Sequence, residues 1–206
     1  MERIIEPGRD FRLQTGPRYM TYAEYLHEQL HKERIIFFSG VVADRSAAEL
    51  IQEILVFQSQ APDRDINLYI DSPGGDALAM LPIYDTMQYV NCDVATYCVG
   101  KAFSAASFLL AGGAKGKRFA LPHSRVMIHQ ARGQLYGQAT DVQIQAEESL
   151  RIDKLLTEIL AAHTGRTVEQ VKQDTRRDRW MSAQEAKEYG IVDEIIETAP
   201  RKPQSR

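Results

Sequence analysis

Short apolar runs alternate with helix-patterned stretches along most of this sequence, and that alternation constrains the fold more than any other feature. The apolar runs predict strands over Glu33–Ser39, Ile66–Ile70, Asp93–Val99, Arg118–Leu121, Arg125–His129 and Ile191–Ile196. Helical spacing fills the intervals: Tyr19–Lys32, Ser46 to about Gln60, a helix after the turn Asp71-Ser-Pro-Gly-Gly75, Ser104–Ala111, and Thr140–His163 stopped by Gly165. Ser46-Ala-Ala-Glu49, Thr167-Val-Glu-Gln170 and Ser182-Ala-Gln-Glu185 read as capping boxes, the last opening a helix ended by Gly190. Pro82 falls inside one helix and predicts a kink or a late start there. Such a chain folds as an α/β protein with parallel strands in its core. No repeat or linker interrupts it, so one domain over 1–206 is expected, with Met1–Gly16 as an arm and Ala199–Arg206 as a frayed polar tail. The Thr140–His163 helix carries apolar residues on more than one face, which favours packing against a neighbouring subunit.

Composition narrows the functional classes. A net charge of −3 gives no reason to expect nucleic acid or an anionic membrane as partner. No apolar run is long enough to span a bilayer, and Met1–Arg18 has no signal-peptide stretch, so a cytoplasmic protein is expected. Cys92 and Cys98 lie in apolar surroundings and read as reduced core thiols.

Several residues have the chemistry of a site. Ser104 follows a strand through Gly100-Lys-Ala-Phe103 and precedes Ala105 and Ala106. A hydroxyl at such a strand–turn–helix junction meets free N–H groups and the positive end of a helix dipole, which suits a nucleophile. It also suits a helix N-cap, a common place for Ser, and the residues alone favour that cap over a nucleophile. Ser107, one turn further, is better placed for packing. Among the histidines, His129 ends a strand ahead of the polar segment Gln130–Gly137 and is the best candidate base. His163 is explained by capping near a helix C-terminus, and His123 by a solvated turn. Gly74 and Gly75 would let backbone N–H groups face a ligand, or serve an ordinary turn. His27-Glu-Gln-Leu-His31 matches H-E-x-x-H, in which two imidazoles one turn apart share zinc. The pattern fixes few positions and has no evident third ligand, so an exposed helix face and no metal are expected.

Taken in order, KERIIF at 32–37, YIDSPGG at 69–75, IYDTMQYV at 83–90, GKAFSAASFLLAGG at 100–113, LPHSRVMIHQ at 121–130, GQATD at 137–141 and DTRRDRWMSAQEAKEYGIVDEI at 174–195 resemble the proteolytic-subunit family (ClpP) of the ATP-dependent Clp protease. The resemblance spans roughly Tyr22–Glu197. It implies a crotonase-like α/β spiral of ββα units with a protruding handle over 130–163, and an axial arm at 1–18. It further implies a serine endopeptidase with Ser104 as nucleophile, His129 as base and Asp178, rather than Asp174, orienting the base. Backbone N–H groups of Gly75 and Ala105 would form the oxyanion hole. The family assembles heptameric rings stacked as a tetradecamer that encloses the sites. An AAA+ unfoldase ring (ClpX, ClpA or ClpC type) feeds in unfolded protein substrates and uses the ATP, so this chain is expected to need no cofactor. Leu55, Tyr69, Tyr89, Phe119 and Ile196 match the family's unfoldase-docking pocket.

The sequence also departs from that pattern. Phe103 and Ala105-Ala106 flank Ser104 where many members have Ala before it and Met-Gly after it, and Phe103 is expected to narrow the cleft. His129-Gln-Ala131 stands for His-Gln-Pro, and Gly133-Gln134 for a glycine pair. Arg176-Arg177 replaces an acidic–Arg pair at the ring–ring contact, where like charges disfavour stacking two identical rings. A partner ring of a paralogous subunit is therefore an alternative to a homomeric assembly. So is a weakly active or inactive ring subunit, although the complete Ser–His–Asp set argues against lost activity. An acyl-CoA enzyme on the same fold would have no need of that set.

Overall fold

A computed structural model describes residues 12–14, 19–133 and 136–197. A hairpin of β1 (Arg12–Gln14) and β2 (Tyr19–Thr21) comes first, so part of the expected arm, and the start of the expected first helix, is strand. The rest of the arm and the tail Ala199–Arg206 lie outside the described residues. Helix α1 (Tyr22–Lys32) begins only at Tyr22, because Thr21 and Glu24 form a reciprocal capping box there.

The body is a mostly parallel sheet with helices packed on it, as the alternation requires. Strands β3 (Ile35–Val42), β4 (Ile66–Gly75), β5 (Val94–Phe103), β6 (Arg118–Ala120) and β9 (Glu194–Ile195) lie side by side and parallel. Strand β7 (Arg125–Ile128) pairs with the far end of β5, and β8 (Arg179–Ser182) runs antiparallel to β7. Thus β5 borders β6 over Thr96–Cys98 and β7 over Lys101–Phe103. Helices α2 (Asp44–Gln60), α3 (Ala77–Tyr89) and α4 (Ala105–Ala111) cover the sheet, and Ile54, Phe57, Ile66, Leu68, Ile70, Met80 and Leu109 among others close the core. Each such side chain contributes about 1.5–3 kcal/mol by leaving water.

Several expectations need correction. The IIFF run is buried on one face only: Ile36 and Phe38 are buried while Phe37 is 53 % exposed, because successive side chains of a strand point to opposite faces, and the interior strand β4 shows the same alternation. Ser46 does not open α2. The helix starts at Asp44, and the Ser46 hydroxyl accepts the Ala43 N–H from inside the first turn. Residues 71–75 are not a turn but the continuation of β4, with a register shift that lets Gly74 and Gly75 pair with Val41 and Val42. Helix α3 starts at Ala77, ahead of Pro82, so the late start is not seen, and the exposed Pro82 sits inside the helix without an N–H to donate. Strand β8 was not anticipated, since RWMS mixes charge and apolar residues, and β9 is shorter than Ile191–Ile196.

Helix α5 (Ala139–Thr164) ends on Gly165 in the left-handed conformation, and its two ends differ in environment. Leu156, Thr157, Leu160 and Ala161 are buried, whereas nothing before Leu156 is, and Ile144 and Leu150 are 60 % and 69 % exposed. Helices α6 (Val168–Asp174) and α7 (Ala183–Tyr189) open with the expected capping boxes at Thr167 and Ser182. No helix of the described residues is long and apolar enough to cross a membrane.

Candidate active site

Strand register brings the site together. Phe103 at the end of β5 pairs with Met127 on β7, so the chain leaves both strands on the same edge, at Ser104 and at His129. Strand β8 pairs Arg179 with Ile128, which makes Asp178 and His129 the next antiparallel position. Residues far apart in sequence thus meet without any long loop having to be ordered.

Ser104 sits between β5 and α4 with φ 53° and ψ −125°. Positive φ is costly for a residue with a Cβ and persists only where surroundings impose it. Here the Ser104 N–H donates to the Met127 carbonyl at 2.8 Å, and the Ser104 carbonyl accepts from the Ser107 N–H at 2.9 Å and hydroxyl at 2.6 Å. Ser107 is fully buried in that role. The Ser104 side chain makes no capping bond, so the cap reading fails and the hydroxyl is left for another partner. That partner is His129: Oγ lies 2.7 Å from Nε2, and Nδ1 lies 3.0 Å from Asp178 Oδ1. With the ring proton on Nδ1, the imidazole donates to the carboxylate and accepts from the hydroxyl. Such a chain can take a proton from Ser104 as Oγ attacks an electrophile. Asp174 is elsewhere, bonded to Arg179 and, at 3.0 Å, to the Tyr189 hydroxyl.

The glycines at 74–75 have a steric reason. A Cβ on Gly74, whose φ is +88°, would meet the Phe103 carbonyl at 2.4 Å and Ser104 Cβ at 2.8 Å. A Cβ on Gly75 would meet the Val42 carbonyl at 2.1 Å. Only glycine lets this backbone lie against the serine turn. Ala105 is the first residue of α4, so its N–H has no partner within the helix.

The group opens into a cavity of about 610 Å³, walled by Pro73, Asp76, Met80, Phe108, Ile152 and Leu156 among others. Phe103 does not narrow it. Its ring turns to Trp180, with centroids 4.8 Å apart, and is not part of the cavity wall. Arg132 does line the cavity and also bonds Asp178. Attention to strand ends alone passed over it, and over Trp180.

The other candidates are scattered. His163 is no cap by its side chain: Nε2 lies 2.8 Å from the Tyr84 hydroxyl. His31 packs edge-on against Phe57 at 4.3 Å and against His27 at 5.8 Å. Among the described residues no group of three His, Cys, Asp or Glu side chains is arranged to hold a metal. Tyr69 stacks on Tyr97 and Tyr97 on Phe119, at 4.5 and 4.9 Å, a run to which the sequence reading contributed Tyr69 and Phe119 but not Tyr97. Leu55 and Tyr89 are exposed on α2 and α3, and Ile196 is half-buried after β9. Arg176 and Arg177 are exposed between α6 and β8. A family model described as Clp protease matches residues 19–199, most of the chain, and the protein therefore belongs to the Clp protease family of peptidases.

Proposed function

We propose that this chain is the serine endopeptidase subunit of an ATP-dependent Clp-type protease, cutting unfolded polypeptides inside a chamber of stacked rings. The observation that carries the reading is the Ser104–His129–Asp178 chain, at 2.7 and 3.0 Å, facing an open cavity. Ser104 Oγ attacks the scissile carbonyl carbon while His129 Nε2 takes its proton. The tetrahedral oxyanion receives hydrogen bonds from the N–H groups of Gly75 and Ala105. His129 then returns the proton to the leaving amine, and water repeats the sequence to free the acyl group and restore Ser104. Asp178 keeps the imidazole in the productive tautomer and offsets its charge. This chemistry calls for no cofactor in the chain itself.

The exposed apolar residues of α5 and the stacked Tyr69–Tyr97–Phe119 side chains support assembly into rings and docking of an AAA+ unfoldase ring. A cytoplasmic setting follows from the same reading. The exposed pair Arg176–Arg177 favours a paralogous partner ring over a second identical one.

The test is covalent labelling with a fluorophosphonate, followed by Ser104→Ala. The expected outcome is stoichiometric label on Ser104 and a loss of peptide hydrolysis of more than about 10⁴-fold in the variant. No label on the assembled protein, or label that persists in the variant, sinks the assignment.

A further inference from the structure

The segment that follows His129 is held at successive residues, the last of them on the site itself. The Gln130 N–H donates to the Thr175 carbonyl at 2.7 Å, and the Ala131 N–H donates to Asp153 Oδ1 at 3.1 Å. A proline at 131 would have no hydrogen for that second bond. Next in line, the Arg132 guanidinium donates to Asp178 Oδ1, the same oxygen that accepts from His129. Two donors thus converge on one carboxylate oxygen from different sides, one from the end of β7 and one from the segment leading to α5.

Asp178 has reason to need the second donor. Its side chain is 35 % exposed, so water competes for the carboxylate and other rotamers are open to it. A single bond from the imidazole does not fix the carboxylate plane, whereas a second donor on the same oxygen leaves little freedom. Arg132 is itself 62 % exposed, and an ion pair that wet adds little to folding stability. The benefit of the contact therefore lies in geometry rather than in holding the fold.

We propose that Arg132 is a positioning residue, its guanidinium holding the Asp178 carboxylate where His129 needs it and so linking the placement of the 130–133 segment to alignment of the site. The proposal rests on the reading of Ser104 as nucleophile. It also gives the segment a direct route to the chemistry: any movement that draws Arg132 away frees the carboxylate.

The experiment compares wild type with Arg132→Ala and Arg132→Lys, in the assembled full chain, by fluorophosphonate labelling rate, steady-state hydrolysis of a short fluorogenic peptide and melting temperature. Arg132→Ala is expected to lower kcat and the labelling rate about tenfold with KM within about twofold. The melting temperature should stay within about 2 °C. Arg132→Lys, which keeps a cationic donor, should recover a clear part of the rate. Unchanged kcat with a raised KM means that the guanidinium contacts substrate instead, and overturns the proposal. So does labelling at the wild-type rate in Arg132→Ala, or a drop in melting temperature with no recovery in Arg132→Lys. Wild-type protein that takes no label on Ser104 overturns the serine peptidase reading and this one with it, whereas a labelled wild type with an indifferent Arg132→Ala overturns this one alone.

Discussion

Among the described residues two imidazole–hydroxyl pairs are nearly equal in length and differ in their surroundings. His129 meets the Ser104 hydroxyl at 2.7 Å, and His163 meets the Tyr84 hydroxyl at 2.8 Å. Around His129 a carboxylate takes the other ring nitrogen, and the pair opens into the cavity. Beside His163 stands instead the Arg118 guanidinium, which donates to the His163 carbonyl at 2.9 Å and to the Asp193 carboxylate. Burial, with Arg118 adding to it, pushes the His163 imidazole below its ordinary pKa, and burial raises the Tyr84 hydroxyl. Both shifts favour the uncharged forms, as suits a pair that serves packing. A hydroxyl against an imidazole does not by itself make a nucleophile. The carboxylate behind the ring and the open space before it make the difference.

The strongest way to break the comparison is to make the first pair resemble the second by removing the carboxylate charge. Asp178→Asn is expected to lower kcat by about 10³–10⁴-fold, since an amide no longer holds the ring in the productive tautomer. Asp174→Asn is the matched control. It disrupts the bonds to Arg179 and Tyr189, so it should lower the melting temperature by a few degrees and leave kcat within about threefold. Hydrolysis that is indifferent to Asp178→Asn would reduce Asp178 to a surface contact and remove the distinction drawn between the two histidines.

A second change leaves both pairs intact and alters only the backbone beside the serine. Gly74→Ala sets a methyl against the Phe103 carbonyl and Ser104 Cβ, at a φ that disfavours side chains. The turn must move, and the N–H groups of Gly75 and Ala105, the proposed oxyanion donors, move with it. A loss of about 10²-fold in kcat is expected, the scale of one misplaced oxyanion donor. Tyr84–His163 lies outside that turn and should keep its bond in the variant. Full activity in Gly74→Ala would show that this backbone takes no part.

How far this was legible in the sequence depends on what sets each feature. The strand–helix alternation, the caps at Thr167 and Ser182, and the stops at Gly165 and Gly190 are local, and the structure shows them where the pattern placed them. From the residues alone Ser104 reads as a cap ahead of a nucleophile, because the residues around a strand–turn–helix junction do not reveal its φ or its partner. Choosing Asp178 over Asp174 needed the register of β7 against β8, and β8 gives no periodic signal of its own. The resemblance supplied that choice where pattern reading did not. Residues 71–75 read as a turn from Pro and Gly content, yet the strand continues, since pairing with β3 overrides local preference. His163 was misjudged for the same kind of reason: its position in the chain shows the helix end but not Tyr84 across the core.

The subtlest test concerns the second pair alone. Because burial lowers the His163 pKa from 6.5, the folded protein takes up this proton only at lower pH than the unfolded chain does. In the window between those values the unfolded chain binds more protons, so acidification costs stability. The loss begins as the pH falls through about 6.5 and levels off once the folded imidazole is protonated too. His163→Gln can still hydrogen-bond Tyr84 but has no proton to gain. Its melting temperature should therefore fall less between pH 7.5 and pH 5.5 than that of wild type, by roughly 2 °C. The other titrating groups are the same in both proteins and cancel in the difference. Labelling of Ser104 should be unchanged in the variant, because Tyr84 and His163 are not part of the cavity wall. Equal slopes in the two proteins would move the acid sensitivity away from His163, and slower labelling would mean that the two pairs are not independent.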